Sequence, residues 1–176
     1  MKMNNMIDEI LTAYDKALTI LDDYDHERTV APKGTVCTYR LTYEECAAVI
    51  ERMRFYSDSD LFGREKDDSF RGSIGNVYQT FGGSELYPTV EQKAATLLYL
   101  LVKNHSFLDG NKRIAGALFI YFLARCGILY RESGEACISN EALASLTLMI
   151  ALSRPEDKEA MISIAARCIC RGEPLQ

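Results

Sequence analysis

The sequence predicts a mainly α protein, a bundle built on a central helix–loop–helix with one short β-hairpin. Two observations carry the helices. Two apolar runs, about Thr89–Lys103 and Asn111–Arg125, flank nine mostly polar residues from His105 to Arg113. Runs of that length suit helices better than strands. Elsewhere, apolar residues recur at spacings of three and four behind capping residues. A third observation marks the hairpin: Val77, Tyr78, Thr80 and Phe81 favour strand, and Gly82-Gly83 breaks it.

Taken in order, Met6, Ile10, Tyr14, Leu18 and Leu21 predict a helix over 4–24. Asp22-Asp23-Tyr24-Asp25 sits at its end. Negative charge opposes the helix dipole there, so fraying is expected. His26–Arg40, with Pro32 and Gly34, reads as a loop. Thr42 and Glu45 form a capping box ahead of Ala47, Val49, Ile50 and Met53, a packing helix to about Tyr56. Residues 57–72 read as a polar surface loop or short turn. Asp58-Ser59-Asp60 and Gly63 open like a calcium loop, but Ser69 stands where calcium needs a bidentate Glu. Residues 73–88 read as a short hairpin or extended flap.

Pro88 or Thr89 opens the first helix of the central pair. Ala94, Ala95, Leu97, Leu98, Leu101 and Val102 make it apolar and central. The second carries Ile114, Ala115, Ala117, Leu118, Ile120, Tyr121 and Phe122, and Gly127 ends it. Ile128–Ile138 reads as a small hairpin turning at Ser133-Gly134. Ser139 or Asn140 caps a helix through Leu152. Pro155 opens a last helix, which Gly172 and Pro174 stop.

Composition bounds the function. The net charge of −5 argues against a nucleic-acid surface. The apolar segment Ala115–Leu123 is too short to span a bilayer, and Arg125 closes it. The opening residues MKMNNMIDEI lack the apolar core of a signal peptide, so a cytoplasmic location is expected. The six cysteines (Cys37, Cys46, Cys126, Cys137, Cys168 and Cys170) contain no C-x-x-C, and reduced thiols are expected. Cys168 and Cys170 point to different sides of a helix, so zinc binding is not.

The chemistry concentrates in the loop. An imidazole such as that of His105 can take a proton from a hydroxyl near neutral pH. One carboxylate, Asp109, with phosphate oxygens can hold Mg²⁺. Gly110 can take backbone angles that other residues avoid. Asn111 can cap the following helix or donate to a phosphate, and Lys112 and Arg113 can neutralise phosphate charge. Singly, these read as an exposed His, a turn residue, a helix cap and a solvated pair. Together they read as a phosphate-bearing nucleotide site beside a base. No Gly-x-x-x-x-Gly-Lys or Gly-x-Gly-x-x-Gly loop is present.

The stretch HSFLDGNKRIAG resembles the signature of the Fic/Doc (Fido) family. The AMP-transferring Fic branch has His-Pro-Phe-x-Asp/Glu-Gly-Asn-Gly-Arg-x-x-Arg, and the Doc branch has His-x-Phe-x-Asp-Ala-Asn-Lys-Arg. His105, Phe107, Asp109, Asn111 and Arg113 fit both. Gly110 fits Fic and Lys112 fits Doc. Ser106 replaces the Fic proline, and Gly116 stands in place of the second Fic Arg. Residues from about Phe70 to Arg154 also look like the Fic portion of RhuM-type bacterial virulence proteins.

The resemblance implies a Fic-type helical bundle as one domain over 1–176. Its parts would be an N-terminal helical accessory part to about 56, a core over about 57–154 and a C-terminal helix over 155–176. It implies transfer of AMP, or another NMP, from ATP or another NTP to a Ser, Thr or Tyr hydroxyl of a target protein. His105 would be the base and Asp109 the Mg²⁺ ligand. Gly110 and Asn111 would form an anion hole, Lys112 and Arg113 would hold phosphates, and Phe107 would anchor the loop. A flap at Thr80, Phe81, Gly82 and Gly83 would dock the target by strand addition.

A Doc-like phosphotransferase toxin is the alternative, and a non-catalytic nucleotide- or protein-binding module is the second. A helix-turn-helix on DNA is set aside because the second helix would be buried. Many Fic proteins carry an inhibitory Ser/Thr-x-x-x-Glu/Asp-Gly/Asn helix. Here the only acidic residue followed by Gly or Asn is Asp109 itself. Restraint by a separate antitoxin-like partner, or by the rest of a longer protein, is therefore expected.

Overall fold

The structure, a computed structural model, describes residues 2–28 and 34–169. The expectations for Pro32, Cys170, Gly172 and Pro174 lie outside these residues. The chain divides into two compact units, residues 1–31 and 32–176.

The first unit holds α1 (Lys2–Ala13) and α2 (Asp15–Asp25). The single helix expected over 4–24 is interrupted at Tyr14, whose φ of −111° and ψ of 9° leave helical geometry. No Pro or Gly marks the break in sequence. Hydrogen bonds still run from Tyr14 N–H to Ile10 O and from Leu18 N–H to Tyr14 O. The acidic end does not simply fray. Arg28 folds back, its Nε donating to Asp23 Oδ1 at 3.0 Å and its Nη2 pairing with Asp22.

In the second unit, α3 (Tyr43–Phe55) starts at Thr42 with both arms of its capping box formed. An eight-residue helix, α4 (Ser69–Asn76), lies where a loop and a hairpin were expected. Gly72 and Gly75 are poor helix formers, and burial of Phe70 and Ile74 supports the helix instead. Val77 closes α4 in helical conformation, so it is not the strand residue it resembled. The hairpin itself is β1 (Thr80–Phe81) and β2 (Ser84–Glu85), antiparallel, with Thr80 opposite Glu85 and Phe81 opposite Ser84. Its turn has φ of +59° at Gly82 and +84° at Gly83. A two-residue hairpin turn demands such angles.

The central pair follows. A capping box between Thr89 and Gln92 starts α5 (Val90–Asn104), and Gly110 precedes α6 (Asn111–Arg125). Gly127, at φ +73°, turns the chain after α6, with Ile128 N–H donating to Leu123 O. The hairpin expected over Ile128–Ile138 reduces to one bridge, Tyr130 with Ala136, flanked by backbone hydrogen bonds. Ser139 caps α7 (Asn140–Leu152). Pro155 opens a 3-10 turn, Pro155–Asp157, and the α-helix proper, α8, runs over Lys158–Ile169.

Helix α5 packs most extensively on α6 and next on α8. Leu97, Leu98 and Leu101 of α5 and Leu118, Phe119 and Phe122 of α6 are at most 1% exposed. Each such side chain contributes about 1.5–3 kcal/mol by burial. The pair is thus a rigid frame, and the loop between its helices is held at one end. Among the described residues no helix is long and apolar enough to cross a membrane.

Candidate functional site

The loop His105–Gly110 is pinned from two sides. Its own helices fix its ends. His105 is the C-cap of α5 in left-handed conformation, φ 51°, which is uncommon outside glycine. Gly110, at φ +88°, is the N-cap of α6. From the other side, residues 62–66 run alongside as a partner segment. Phe62 bridges Asp109, and Glu65 bridges Phe107. Gly63 N–H donates to Asp109 O, Leu108 N–H to Arg64 O, and Lys66 N–H to Ser106 O, all at 2.8–3.0 Å. Arg54 of α3 holds that segment in turn, donating to Phe62 O at 2.9 Å and Gly63 O at 3.0 Å.

Within the loop, Phe107 is 1% exposed and packs edge-on to Phe70 with ring centroids 4.8 Å apart. It anchors the loop in the core as expected. Ser106, in place of the Fic proline, accepts a hydrogen bond from Ser69 Oγ at 2.7 Å. That ties the loop to the start of α4.

Asn111 is spent on the loop itself. Its Oδ1 accepts from Phe107 N–H at 2.9 Å and its Nδ2 donates to Phe107 O at 2.7 Å. This pair of hydrogen bonds fixes the amide orientation. One N–H of the amide is thus committed to the backbone, while the residue still lines the cavity beside His105. The Gly110 N–H is also taken, donating to Asp109 Oδ1 at 2.7 Å. What the helix start offers an anion is the first-turn N–H groups of α6, which have no helix carbonyl to reach.

His105 Nδ1 faces two donors, Lys66 Nζ at 3.2 Å and Asn111 Nδ2 at 3.4 Å. An ammonium can only donate. In this arrangement Nδ1 is the acceptor, and Nε2 carries the proton of the neutral ring. Lys66 was not singled out from the sequence; it stands 39 positions away and arrives only through the partner segment.

A cavity of about 240 Å³ is lined by His105, Leu108, Asp109, Gly110, Asn111, Lys112 and Arg113. The structure thus brings together all six loop residues expected to form the site. Asp109 keeps Oδ2 3.7 Å from Arg113 Nη2, with its side chain 43% exposed. The guanidinium of Arg113 lies over the Phe62 ring, 4.6 Å from its centroid. Among the described residues no cluster of three or more His, Cys, Asp or Glu is placed to hold a metal. A divalent ion here would rest on Asp109 and on oxygens of a bound phosphate, a donor set that suits Mg²⁺.

Thr80, Phe81, Gly82 and Gly83 do not line this cavity. They form an exposed hairpin that precedes α5. A second recess of about 480 Å³ does adjoin it, sharing Lys112 and Arg113. Its wall is mainly apolar, with Met53, Gly116, Ala117, Leu143, Ala144 and Leu148. Position 116, where a Fic pattern has Arg, is here part of that wall.

A model of the Fic/DOC family matches residues 40–123. The chain is also 39% identical over 56 residues to the toxin Doc of Mycolicibacterium smegmatis. That stretch is 32% of this chain and 43% of the relative, so the chain spans less than half the length of this curated relative. No solved structure matches.

Proposed function

Residues 40–123 belong to the Fic/DOC family, and from that premise we propose that the chain is a nucleotide-dependent transferase acting on a protein hydroxyl. One observation carries the proposal. A base, a carboxylate, two cations and the start of α6 line a single cavity beside an apolar recess. A nucleotide has that division, charged phosphates joined to a flatter nucleoside.

Phosphates of ATP, or of another NTP, lie against Lys112, Arg113 and the first turn of α6 in this reading. The nucleoside takes the recess. Asp109 would hold Mg²⁺ together with phosphate oxygens, and the metal would supply positive charge against the phosphates. His105 takes the proton of a Ser, Thr or Tyr hydroxyl. That oxygen bonds to phosphorus as the bond to the leaving phosphate oxygen breaks. Lys112 and Arg113 balance the charge that develops. Lys66 Nζ lies 3.2 Å from Nδ1, so proton uptake at that nitrogen requires Lys66 to withdraw. A bound phosphate is an anion that can draw it off.

Which group moves separates two readings. AMP transfer is the first expectation from the sequence. Phosphoryl transfer, as in the Doc branch, gains from one observation. A Cβ at Gly110 would meet the Phe62 ring at 2.3 Å. Glycine at 110 is therefore dictated by Phe62 and no longer speaks for the Fic branch, whereas Lys112 still speaks for Doc. The similarity to a protein named toxin Doc also supports a toxin restrained by a separate antitoxin-like partner.

The test uses ATP labelled separately at the α and γ phosphates, with Mg²⁺ and a bacterial lysate. Label from the α position on a protein band means nucleotidyl transfer. Label from γ alone means phosphoryl transfer. His105→Ala should abolish either while keeping the circular dichroism of the parent. An unfolded His105→Ala protein would make His105 a structural residue. A folded one that still transfers label would remove it from the mechanism.

A further inference from the structure

The hairpin Thr80–Glu85 has only two residue pairs, and both strands are exposed. A hairpin that short is marginal by itself in water. Something must hold it to the frame. Its stems are tied by Leu86 N–H donating to Gln79 O at 3.1 Å and by the buried Val77 and Tyr87. The third tie is unusual. Lys93, on α5, is 1% exposed, although lysine is almost never fully buried unless paired.

Every contact of the Lys93 ammonium leads to the hairpin. It donates to Glu85 Oε2 of β2 at 2.9 Å and to Tyr87 O just beyond it. It also lies 5.6 Å from the ring centroid of Tyr78, just before β1. The Arg40 guanidinium also lies over that ring, 4.4 Å from its centroid, and Tyr78 Oη accepts from Leu41 N–H. One buried charge thus grips both stems from the central helix. Packing alone would be met as well by an apolar side chain of similar volume, so the choice of lysine points to the grip itself.

We propose that Lys93, through Glu85, is a positioning residue for the hairpin. It fixes the orientation of the strand edge along which an extended segment of the target protein pairs. The inference rests on the reading of the chain as a protein-modifying transferase, and it adds a residue the loop motif does not contain.

Lys93→Met and Glu85→Gln test it by two measurements. The first is amide exchange of the hairpin and of α5. The second is labelling with radioactive ATP, titrating either ATP or bacterial lysate protein. Both variants should speed exchange at hairpin amides by about tenfold, the loss of one charge-assisted tie, with α5 protection unchanged. The lysate protein needed for half-maximal labelling should rise severalfold while half-saturating ATP stays put. Glu85→Gln lies on a part-exposed residue and carries the test if Lys93→Met does not fold. Unchanged hairpin exchange overturns the grip. Faster exchange with both half-saturation values moving together overturns the role in target docking. A wild-type protein that labels nothing refutes the transferase reading and the docking role with it, while exchange still decides the grip.

Discussion

Gly110 and Asn111 set what the loop can tolerate. At Gly110 a side chain faces both a left-handed backbone, φ +88°, and the Phe62 ring at 2.3 Å. Phe62 is 1% exposed and is covered by Arg113, so it has little room to yield. Gly110→Ala should therefore cost about 1–3 kcal/mol from overpacking, with more from the backbone. A urea midpoint equal to the parent's would mean that Phe62 can move. Asn111→Ala removes both bonds to Phe107 and leaves a buried N–H and C=O unpaired. About 1–3 kcal/mol of stability should go, and label transfer with it, because His105 hangs on the same loop. Chemical denaturation and the labelling assay read the two losses. The loop residues were legible in the sequence because nine neighbours hold all the motif chemistry. Their contacts were less so: that Asn111 clamps the Phe107 backbone is visible only in its geometry.

Capping boxes and their charges act at the level of the element. Glu45 closes the box of α3, and Tyr39 Oη donates to Glu45 Oε1 at 2.6 Å. That bond, with the Thr42 N–H and the Arg125 charge, holds the Glu45 carboxyl below the usual carboxylate range, against a smaller opposing effect of burial. A depressed carboxylate stabilises the fold above its unfolded pKa, and that stability is lost as pH falls through the folded value. Glu45→Ala should thus lower the melting temperature near neutral pH by about 2–4 °C, for a cap worth about 1 kcal/mol. The gap to the parent should narrow below about pH 4; a gap constant with pH would mean the charge plays no part. The capping boxes of α3 and α5 each follow a local pattern, though only that of α3 was foreseen. Helix α4 was missed because Gly72 and Gly75 argue against it, and its support is the burial of Phe70 and Ile74.

For the whole molecule, the buried apolar cluster runs from Leu41 to Ile169 and lies wholly in the second unit. A chain beginning at residue 32 should therefore keep one cooperative unfolding transition and its label transfer. A broad, non-cooperative melt of that shortened chain would mean that residues 1–31 complete the core. Met6, Ile10, Leu18 and Leu21 of the first unit are exposed. Their period predicted one helix over 4–24, where α1 and α2 stand, but period alone says nothing of what a face packs on.

The sequence by itself determined the helical class, the two central helices, the hairpin turn and the identity of the loop residues. Each of these is written in neighbours no more than about four positions apart, where side-chain spacing and backbone preference act directly. The tertiary structure alone decided that residues 62–66 run beside the loop, that Lys66 reaches His105, that Phe62 dictates Gly110 and that Lys93 grips the hairpin. The last of these joins residues only eight apart, yet the chain turns between them, and no spacing rule covers a turn and a helix together. The others depend on contacts between distant segments, which form only once the core has closed around α5 and α6.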